Sequence, residues 1–225
     1  YKKSFISFLL ETGALGVDKV KDYLLKSKRL SPWFVNLGEF NNGESSTALG
    51  NFYADSIIIS GIDFDLLYGV PEKGNALAVA TSIGLYRRGK NIPWFFTRKI
   101  AKEYGEATNL SQQERIKALV VGRAPKNGQS IAQLDDVFTD GGAKYQAREV
   151  LQSLGEFKYP FLTISVDRQE VTTDGNNAIE EYERKTGTKV VSIVNAIEIY
   201  DFLKGNVSVT TPNGEIKKED VERMA

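Results

Sequence analysis

The 225-residue sequence contains no cysteine and no histidine. Without cysteine it can form no disulfide framework, no thiol nucleophile and no thiolate zinc site, and such a composition fits a reducing compartment. Without histidine it cannot build a serine–histidine triad. Any proton transfer near neutral pH must therefore rely on carboxylates, lysine or tyrosine.

An excess of charge and long apolar runs are also missing. Lys and Arg total 29, as do Asp and Glu, so the composition does not indicate bulk attraction to nucleic acid or to an anionic membrane surface. No apolar run approaches the roughly 20 residues of a membrane span, and the first five residues do not begin a signal peptide. We therefore expect a cytoplasmic protein with neither nucleic acid nor membrane among its partners.

The remaining composition is that of a globular protein, with 41% hydrophobic and 26% charged residues. Short apolar runs alternate with segments of helical periodicity along most of the chain. This alternation predicts an α/β fold with a mainly parallel central sheet flanked by helices. No linker divides the chain, so we expect one domain over residues 1–225. We expect it to carry a small N-terminal hood (1–40) and a C-terminal appendage or hairpin (205–225).

One stretch combines features of an anion site. The apolar run 131–134 leads into Asp135 and Asp136, and a glycine pair, Gly141 and Gly142, precedes a helical pattern. Glycines let backbone N–H groups approach a ligand closely, and the first turn of a helix offers unpaired donors. The adjacent carboxylates suit ribose hydroxyls or Mg²⁺. An ordinary turn with surface acids remains the alternative interpretation of the bare pattern.

A second candidate loop, residues 69–74, is bracketed by glycines and carries Lys73. It follows a predicted buried strand at 64–68 and precedes a predicted helix at 76–86. A lysine in a glycine-bracketed loop at the carboxyl end of a strand suits a diphosphate. A simple connection between strand and helix would show the same pattern.

The segment Leu134-Asp-Asp-Val-Phe-Thr-Asp-Gly-Gly142 resembles the 5-phosphoribosyl-1-diphosphate (PRPP) signature of type I phosphoribosyltransferases. That signature reads as apolar residues, two acids, two variable residues, Thr, any residue and Gly. The resemblance implies that the acids bind ribose hydroxyls and that the following loop wraps the 5-phosphate. The PRPP-binding residues it implies here are Asp135, Asp136, Thr139, Asp140, Gly141, Gly142 and Ala143. It also places Mg²⁺ near Asp135 and Asp136, through ribose hydroxyls or water.

Four further stretches resemble orotate phosphoribosyltransferases in particular. Leu25-Lys-Ser-Lys-Arg-Leu-Ser-Pro-Trp-Phe-Val-Asn36 is similar to the family's N-terminal hood, and residues 69–74 are similar to its diphosphate loop. Residues 98–106 resemble its catalytic loop, and residues 165–170 resemble the segment that meets the orotate carboxylate. The similarity extends from about residue 5 to residue 204.

These matches imply a role for each site residue. They imply that Lys26 and Lys73 bind PRPP, that Arg98, Lys99, Lys102 and Asp136 are catalytic, and that Lys26, Phe34, Thr139 and Arg168 bind orotate. A guanidinium offers the two-point contact that suits a planar carboxylate. Loss of diphosphate from a ribose carbon passes through a cation-like state, so lysines, arginine and Mg²⁺ would neutralise the leaving group.

The resemblance also implies the reaction and the assembly. We expect transfer of 5-phosphoribose from PRPP to orotate, giving orotidine 5-phosphate and diphosphate in de novo UMP synthesis, with Mg²⁺ as cofactor. We expect a homodimer with shared active sites, because the family's mobile catalytic loop closes over a neighbouring subunit. Here that loop, with an insertion, spans residues 98–126. Ser111 and Glu114 form a capping-box pattern, which predicts a short helix within the insertion.

Three of the departures from the family pattern bear on activity. Glu72 replaces a tyrosine, Tyr104 replaces a histidine, and Asp140 stands where threonine or alanine is common. They leave two alternatives open: a phosphoribosyltransferase for another base, and a non-catalytic PRPP-sensing regulator. Because a carboxylate repels a phosphate dianion, we expect Asp140 to turn outward and leave the N–H groups of the loop available. A neighbouring lysine such as Lys144 could also offset its charge.

Overall fold

A computed structural model describes residues 1–18, 22–24, 30–98, 111–171, 175–205 and 208–224. In chain order its elements are α1 (Lys2–Glu11), β1 (Leu15–Val17), β2 (Tyr23–Leu24), β3 (Leu30–Ser31), β4 (Trp33–Val35), a 3-10 turn (Leu37–Glu39), α2 (Gly43–Ser60), β5 (Leu66–Gly69), α3 (Lys73–Tyr86), β6 (Trp94–Thr97), α4 (Gln112–Leu119), β7 (Val120–Gly122), β8 (Ile131–Leu134), β9 (Val137–Phe138), α5 (Gly142–Leu154), β10 (Phe161–Asp167), α6 (Ala178–Thr186), β11 (Lys189–Asn195), α7 (Ala196–Lys204), β12 (Ser208–Thr211), β13 (Gly214–Lys217) and α8 (Lys218–Glu222).

A seven-stranded sheet forms the centre of the molecule. Its order is β11-β10-β8-β5-β6-β7, and β9 pairs with β10. The pairs are parallel except β6–β7, which is antiparallel. The predicted α/β fold with a mainly parallel sheet is therefore confirmed.

Helices cover both faces of the sheet, which is why its central strands β5, β8 and β10 are buried along nearly their whole length. Alternate residues of β5 enter two separate cores because successive side chains in a strand point to opposite faces. Leu67 packs in the core that includes α1, α2, α3 and α7, whereas Leu66 and Tyr68 pack in the core that includes α5 and α6.

Most predicted elements are present, with shifted ends. The predicted buried strand at 64–68 is present as β5 (Leu66–Gly69), and Ser111 caps α4 in a complete capping box as expected. The helix expected from residue 76 begins at Lys73, so the last two of the six residues of the predicted diphosphate loop (69–74) are helical. The catalytic loop with its insertion was predicted over 98–126, and residues 99–110 of it lie outside the described residues. Residues 112–122 form α4 and the sheet strand β7.

The N- and C-terminal segments meet at the hood. β1 pairs with β4, and β2 pairs with β3. The tail forms the β12–β13 hairpin and α8, and the Asn213 side-chain amide donates to the Gly13 carbonyl oxygen at 2.9 Å. Arg223 forms an ion pair with Asp22 at 2.8 Å. In the parts of the chain that are described, no helix is both long and apolar enough to cross a membrane.

Two helices on one face of the sheet cross at glycines. A Cβ added to Gly50 of α2 would lie 2.3 Å from the Ala80 carbonyl oxygen of α3. A Cβ added to Gly84 of α3 would lie 2.5 Å from the Gly50 carbonyl oxygen. The backbones are therefore in direct contact, and neither position has room for a larger side chain.

This crossing predicts the effect of Gly50→Ala. The added methyl group must push the helices apart, at about 1–3 kcal/mol for overpacking, and this outweighs the gain in helix propensity of about 1 kcal/mol. Urea unfolding should show a net loss of stability. Gly43→Ala, in the first turn of the same helix with nothing within 4 Å, is the matched control. Equal stability of the two variants would contradict the close crossing.

Candidate active site

The site residues gather where parallel strands end. β5, β8 and β10 are neighbours in the sheet and run parallel, so their carboxyl ends lie at one edge. β8 leads into Asp135 and Asp136, and β10 leads into Arg168. Ligands of open α/β sheets bind outside such an edge. The structure therefore brings the acidic corner and the predicted orotate-binding arginine to the same edge.

The backbone of the acidic corner is held from two sides. The Tyr53 hydroxyl donates to the Asp135 carbonyl oxygen at 2.7 Å, and the Ser165 hydroxyl donates to the Asp136 carbonyl oxygen at 2.6 Å. Tyr53 and Ser165 are fully buried. A buried tyrosine hydroxyl needs such an acceptor, so these bonds fix the direction in which the two carboxylates leave the strand.

Lys73 reaches the second acid because its loop folds directly onto the end of β8. A Cβ on Gly69 would lie 2.3 Å from the Gly74 carbonyl oxygen, and a Cβ on Gly74 would lie 2.4 Å from the Leu134 carbonyl oxygen. Only glycine permits this approach. As a result the Lys73 ammonium lies 2.7 Å from Asp136 Oδ2.

Lys144 of α5 pairs with the first acid. Its ammonium lies 2.6 Å from Asp135 Oδ2, and each side chain is only 7% exposed. It also donates to the Val137 carbonyl oxygen at 2.7 Å. From the sequence, Lys144 was expected only as a possible offset for the charge of Asp140. The motif gave no signal for this pair, because a lysine in the first turn of a helix ordinarily faces solvent.

The two acids have opposite pKa shifts. Burial raises the pKa of Asp135 above its ordinary value, although Lys144 acts against it. Burial also acts to raise the pKa of Asp136, but the hydrogen bond and charge of Lys73 overcome it and the pKa is lowered. Asp136 is therefore the acid held more firmly as a carboxylate.

The loop after the acids corrects the expectation for Asp140. Gly141 has φ +78°, a left-handed conformation that begins α5, so the glycine is required there. Asp140 is exposed but does not turn away from the loop, since its Oδ1 accepts the Gly142 N–H at 3.0 Å. A short acidic side chain readily accepts such a local bond. One donor of the predicted phosphate loop is thus engaged by the protein itself. Thr139 is partly buried and Ala143 is exposed.

Arg168 is buried beneath the hood, with its side chain 4% exposed. Its guanidinium bonds Glu170 at 3.2 Å and the Ser31 hydroxyl at 3.0 Å, and it lies 4.1 Å from the centroid of the Trp33 ring. Gln169, the next residue, has a left-handed φ of +54°, a backbone strain typical of functional sites. Arg168 therefore joins the end of β10 to the hood.

The remaining predicted residues are placed as follows. Phe34 on β4 is 38% exposed and packs against Tyr23, with ring centroids 5.5 Å apart. Arg98 follows β6, and its backbone N–H donates to the Leu119 carbonyl oxygen at 2.9 Å. Glu72 is exposed at the start of α3. Lys26, Lys99, Lys102 and Tyr104 lie outside the described residues.

The acidic corner offers oxygen ligands of the kind that Mg²⁺ prefers. All four oxygens are engaged, since Asp135 Oδ1 and Asp136 Oδ1 accept backbone N–H groups and both Oδ2 atoms meet lysines. The described residues contain no group of three histidine, cysteine, aspartate or glutamate side chains that could hold a metal. Mg²⁺ often relies on water and substrate phosphates. The residues therefore fit a magnesium ion carried mainly by the substrate.

The architecture is similar to that of solved phosphoribosyltransferase structures. Adenine phosphoribosyltransferase from Leishmania donovani shares the fold, with a TM-score of 0.51 at 14% identity over 87% of this chain and 81% of that one. The orotate phosphoribosyltransferase structure from Francisella tularensis gives a TM-score of 0.77 at 27% identity, over 98% of this chain and 95% of that one. No protein-family model matches the sequence. The fold and the acidic corner define a type I phosphoribosyltransferase.

Proteins of similar sequence show to which family of type I phosphoribosyltransferases the chain belongs. Orotate phosphoribosyltransferase from Pseudomonas fluorescens (strain SBW25) is 38% identical over 205 residues, which cover 91% of this chain and 89% of that one. The enzyme of the same name from Klebsiella pneumoniae is also 38% identical over 205 residues. The chain belongs to the orotate phosphoribosyltransferase family, a family of pentosyltransferases.

The contacts of Arg168 predict a stability effect. Arg168→Met leaves the buried Glu170 carboxylate without its arginine, which should cost about 3 kcal/mol or more in urea unfolding. Adding Glu170→Gln should recover part of that loss. Arg223→Met removes an arginine from an exposed pair with Asp22 and should cost less than about 1 kcal/mol. Equal losses from the two arginines would contradict the structural role of Arg168.

Proposed function

We propose that the chain transfers the 5-phosphoribosyl group of PRPP to orotate, giving orotidine 5-phosphate and diphosphate in de novo pyrimidine biosynthesis. The observation that carries this proposal is the acidic corner at the end of β8, followed by a glycine loop, in a chain 38% identical to orotate phosphoribosyltransferases. Asp135, Asp136 and residues 139–143 would bind the ribose and its 5-phosphate. The Lys73–Asp136 contact supports a diphosphate position beside the acids.

In the reaction, the bond from the ribose carbon to diphosphate breaks and a bond to an orotate nitrogen forms. The ribose carbon becomes cation-like, while negative charge grows on the leaving diphosphate. The cations proposed to neutralise that charge are Lys26, Lys73, Arg98, Lys99 and Lys102. Because little proton transfer is needed at the sugar, a chain without histidine can carry out this step.

Magnesium is proposed as the cofactor. When bound with PRPP, it would supply further positive charge to the diphosphate. Asp135 and Asp136 would meet it through ribose hydroxyls or water, which agrees with carboxylates already paired with lysines. The protein residues themselves orient the ribose and exclude water from the edge of the sheet.

Orotate recognition is proposed for the side of the site under the hood. Arg168 lies between the end of β10 and the hood, and a guanidinium suits the orotate carboxylate. The partly exposed Phe34 on β4 would pack near the orotate ring. Lys26 and Thr139 would complete this side. The Glu170 contact with Arg168 holds the guanidinium in one orientation, which supports a role in recognition.

An absorbance assay tests the function. Protein, PRPP and Mg²⁺ should consume orotate, with loss of activity when a chelator removes the metal and in Asp136→Asn. Uracil, adenine and hypoxanthine in place of orotate test the other-base alternative. Consumption of one of these bases and not of orotate would overturn the proposal. PRPP binding without consumption of any base would favour the regulatory alternative, which Glu72 and the engaged Asp140 keep open.

The assembly is proposed as a homodimer of single-domain chains. In each chain, residues 1–40 would be the hood, residues 98–126 the mobile catalytic loop with its insertion, and residues 205–225 the appendage. The loop of one subunit would complete the active site of the other. The family resemblance around Arg98 supports this arrangement.

Hybrid dimers test the shared site. Lys102→Ala and Asp136→Ala should each be nearly inactive, and Lys102→Ala should lower kcat more than either KM. Mixed under subunit exchange, they should recover up to about a quarter of wild-type activity, because half of the dimers then carry one intact site. Mixing Lys102→Ala with Lys99→Ala, two changes on one loop, is the control and should recover nothing. No rescue in the first mixture would mean that each site is built from one chain.

A further inference from the structure

Lys144 is an unusual lysine for its position. It is the third residue of α5, close to the positive end of the helix dipole, where a cation is disfavoured. Its side chain is 7% exposed, and burial of an ammonium group requires charged or polar partners. A buried lysine at this position is stable only when its contacts compensate for both the helix dipole and the burial of its charge.

The contacts of Lys144 join three consecutive parts of the site. Its ammonium lies 2.6 Å from Asp135 Oδ2, at the end of β8, and 2.7 Å from the carbonyl oxygen of Val137, in β9. It lies 5.4 Å from the centroid of the Phe138 ring, and its own backbone belongs to α5. The loop between β9 and α5 is therefore closed at its base by this one side chain.

The far end of the same loop is closed by the protein as well. Asp140 accepts the Gly142 N–H, and the left-handed Gly141 packs so closely that a Cβ there would lie 2.9 Å from the Phe138 ring. The loop conformation thus depends on a base held by Lys144 and on a tip held by local hydrogen bonding. Of these two contacts, only the one that Lys144 makes at the base of the loop also involves a carboxylate proposed to bind the ribose.

The charges at the acidic corner distinguish Lys144 from Lys73. Lys73 neutralises Asp136 from the solvent side, with its side chain 56% exposed, and Lys144 neutralises Asp135 from the buried side. Two uncompensated carboxylates would repel the diphosphate and phosphate of PRPP. Lys73 is largely exposed, whereas Lys144 is enclosed together with Asp135.

We propose that Lys144 is a positioning residue for PRPP: it fixes the Asp135 carboxylate toward the ribose and sets the shape of the loop that receives the 5-phosphate. It acts through Asp135 and Val137 without touching the substrate. We expect its effect to fall on PRPP affinity, because both contacts lie in the part of the site proposed to bind the ribose and the 5-phosphate. This inference rests on the proposed function.

Steady-state kinetics of the full chain test the inference. Lys144→Met keeps an unbranched apolar stem and removes the ammonium. We expect the KM for PRPP to rise about tenfold or more, with kcat and the KM for orotate within about threefold of wild type. Calorimetric titration with PRPP alone should show the same loss of affinity.

Controls separate positioning from general destabilisation. A purely structural role would reduce the amount of folded protein, which lowers the apparent kcat and leaves both KM values unchanged. Thermal unfolding should be measured for each variant. Lys185→Met removes a lysine that is paired with Glu181 on the exposed side of α6, and it should leave all three constants unchanged.

If Lys144→Met does not fold, Lys144→Gln takes its place with the same expectation, because it is neutral yet keeps a hydrogen-bond donor. A folded variant of either kind with wild-type PRPP affinity overturns the inference. Wild-type protein that fails to consume orotate with PRPP would instead overturn the proposed function. PRPP calorimetry on the wild-type and variant proteins decides the inference in that case too.

Discussion

Two neighbouring carboxylates at the end of one buried strand impose the constraint on which the rest of the site depends. Asp135 and Asp136 are held close together in a poorly solvated corner, and each needs a compensating charge. Lys73 meets one from a glycine-bracketed loop, and Lys144 meets the other from a helix. The close packing of Gly69 and Gly74 and the left-handed Gly141 bring these two lysines within reach.

The hood is joined to this corner through a second buried charge. Arg168 follows β10, which pairs with β9 just beyond the acids, and its guanidinium packs on Trp33 and bonds Ser31 of the hood. The C-terminal hairpin contacts the hood near Gly13, and Arg223 pairs with Asp22. The hood and the acidic corner are thus parts of one connected framework.

Much of the fold and of the candidate site could be predicted from the sequence, because it follows from patterns of neighbouring residues. The apolar run of β8, the capping box of α4 and the periodicity of α6 each specify an element without reference to distant residues. The short strands β1, β7 and β9 could not be predicted, because two or three residues show no periodicity and exist only through their partners. The direction of Asp140 was predicted wrongly, because charge repulsion from a phosphate was weighed and a local bond to Gly142 was not.

The sequence by itself determined the α/β architecture, the family and the acidic corner with its glycine turn, since these are encoded in contiguous motifs. Only the tertiary structure decided which charges meet. Lys144 lies nine residues after Asp135 and Arg168 lies 135 residues after Trp33, and their contacts arise from how α5 and the hood pack on the sheet. Burial then gives those pairs their strength, and burial is a property of the folded chain that no single motif contains.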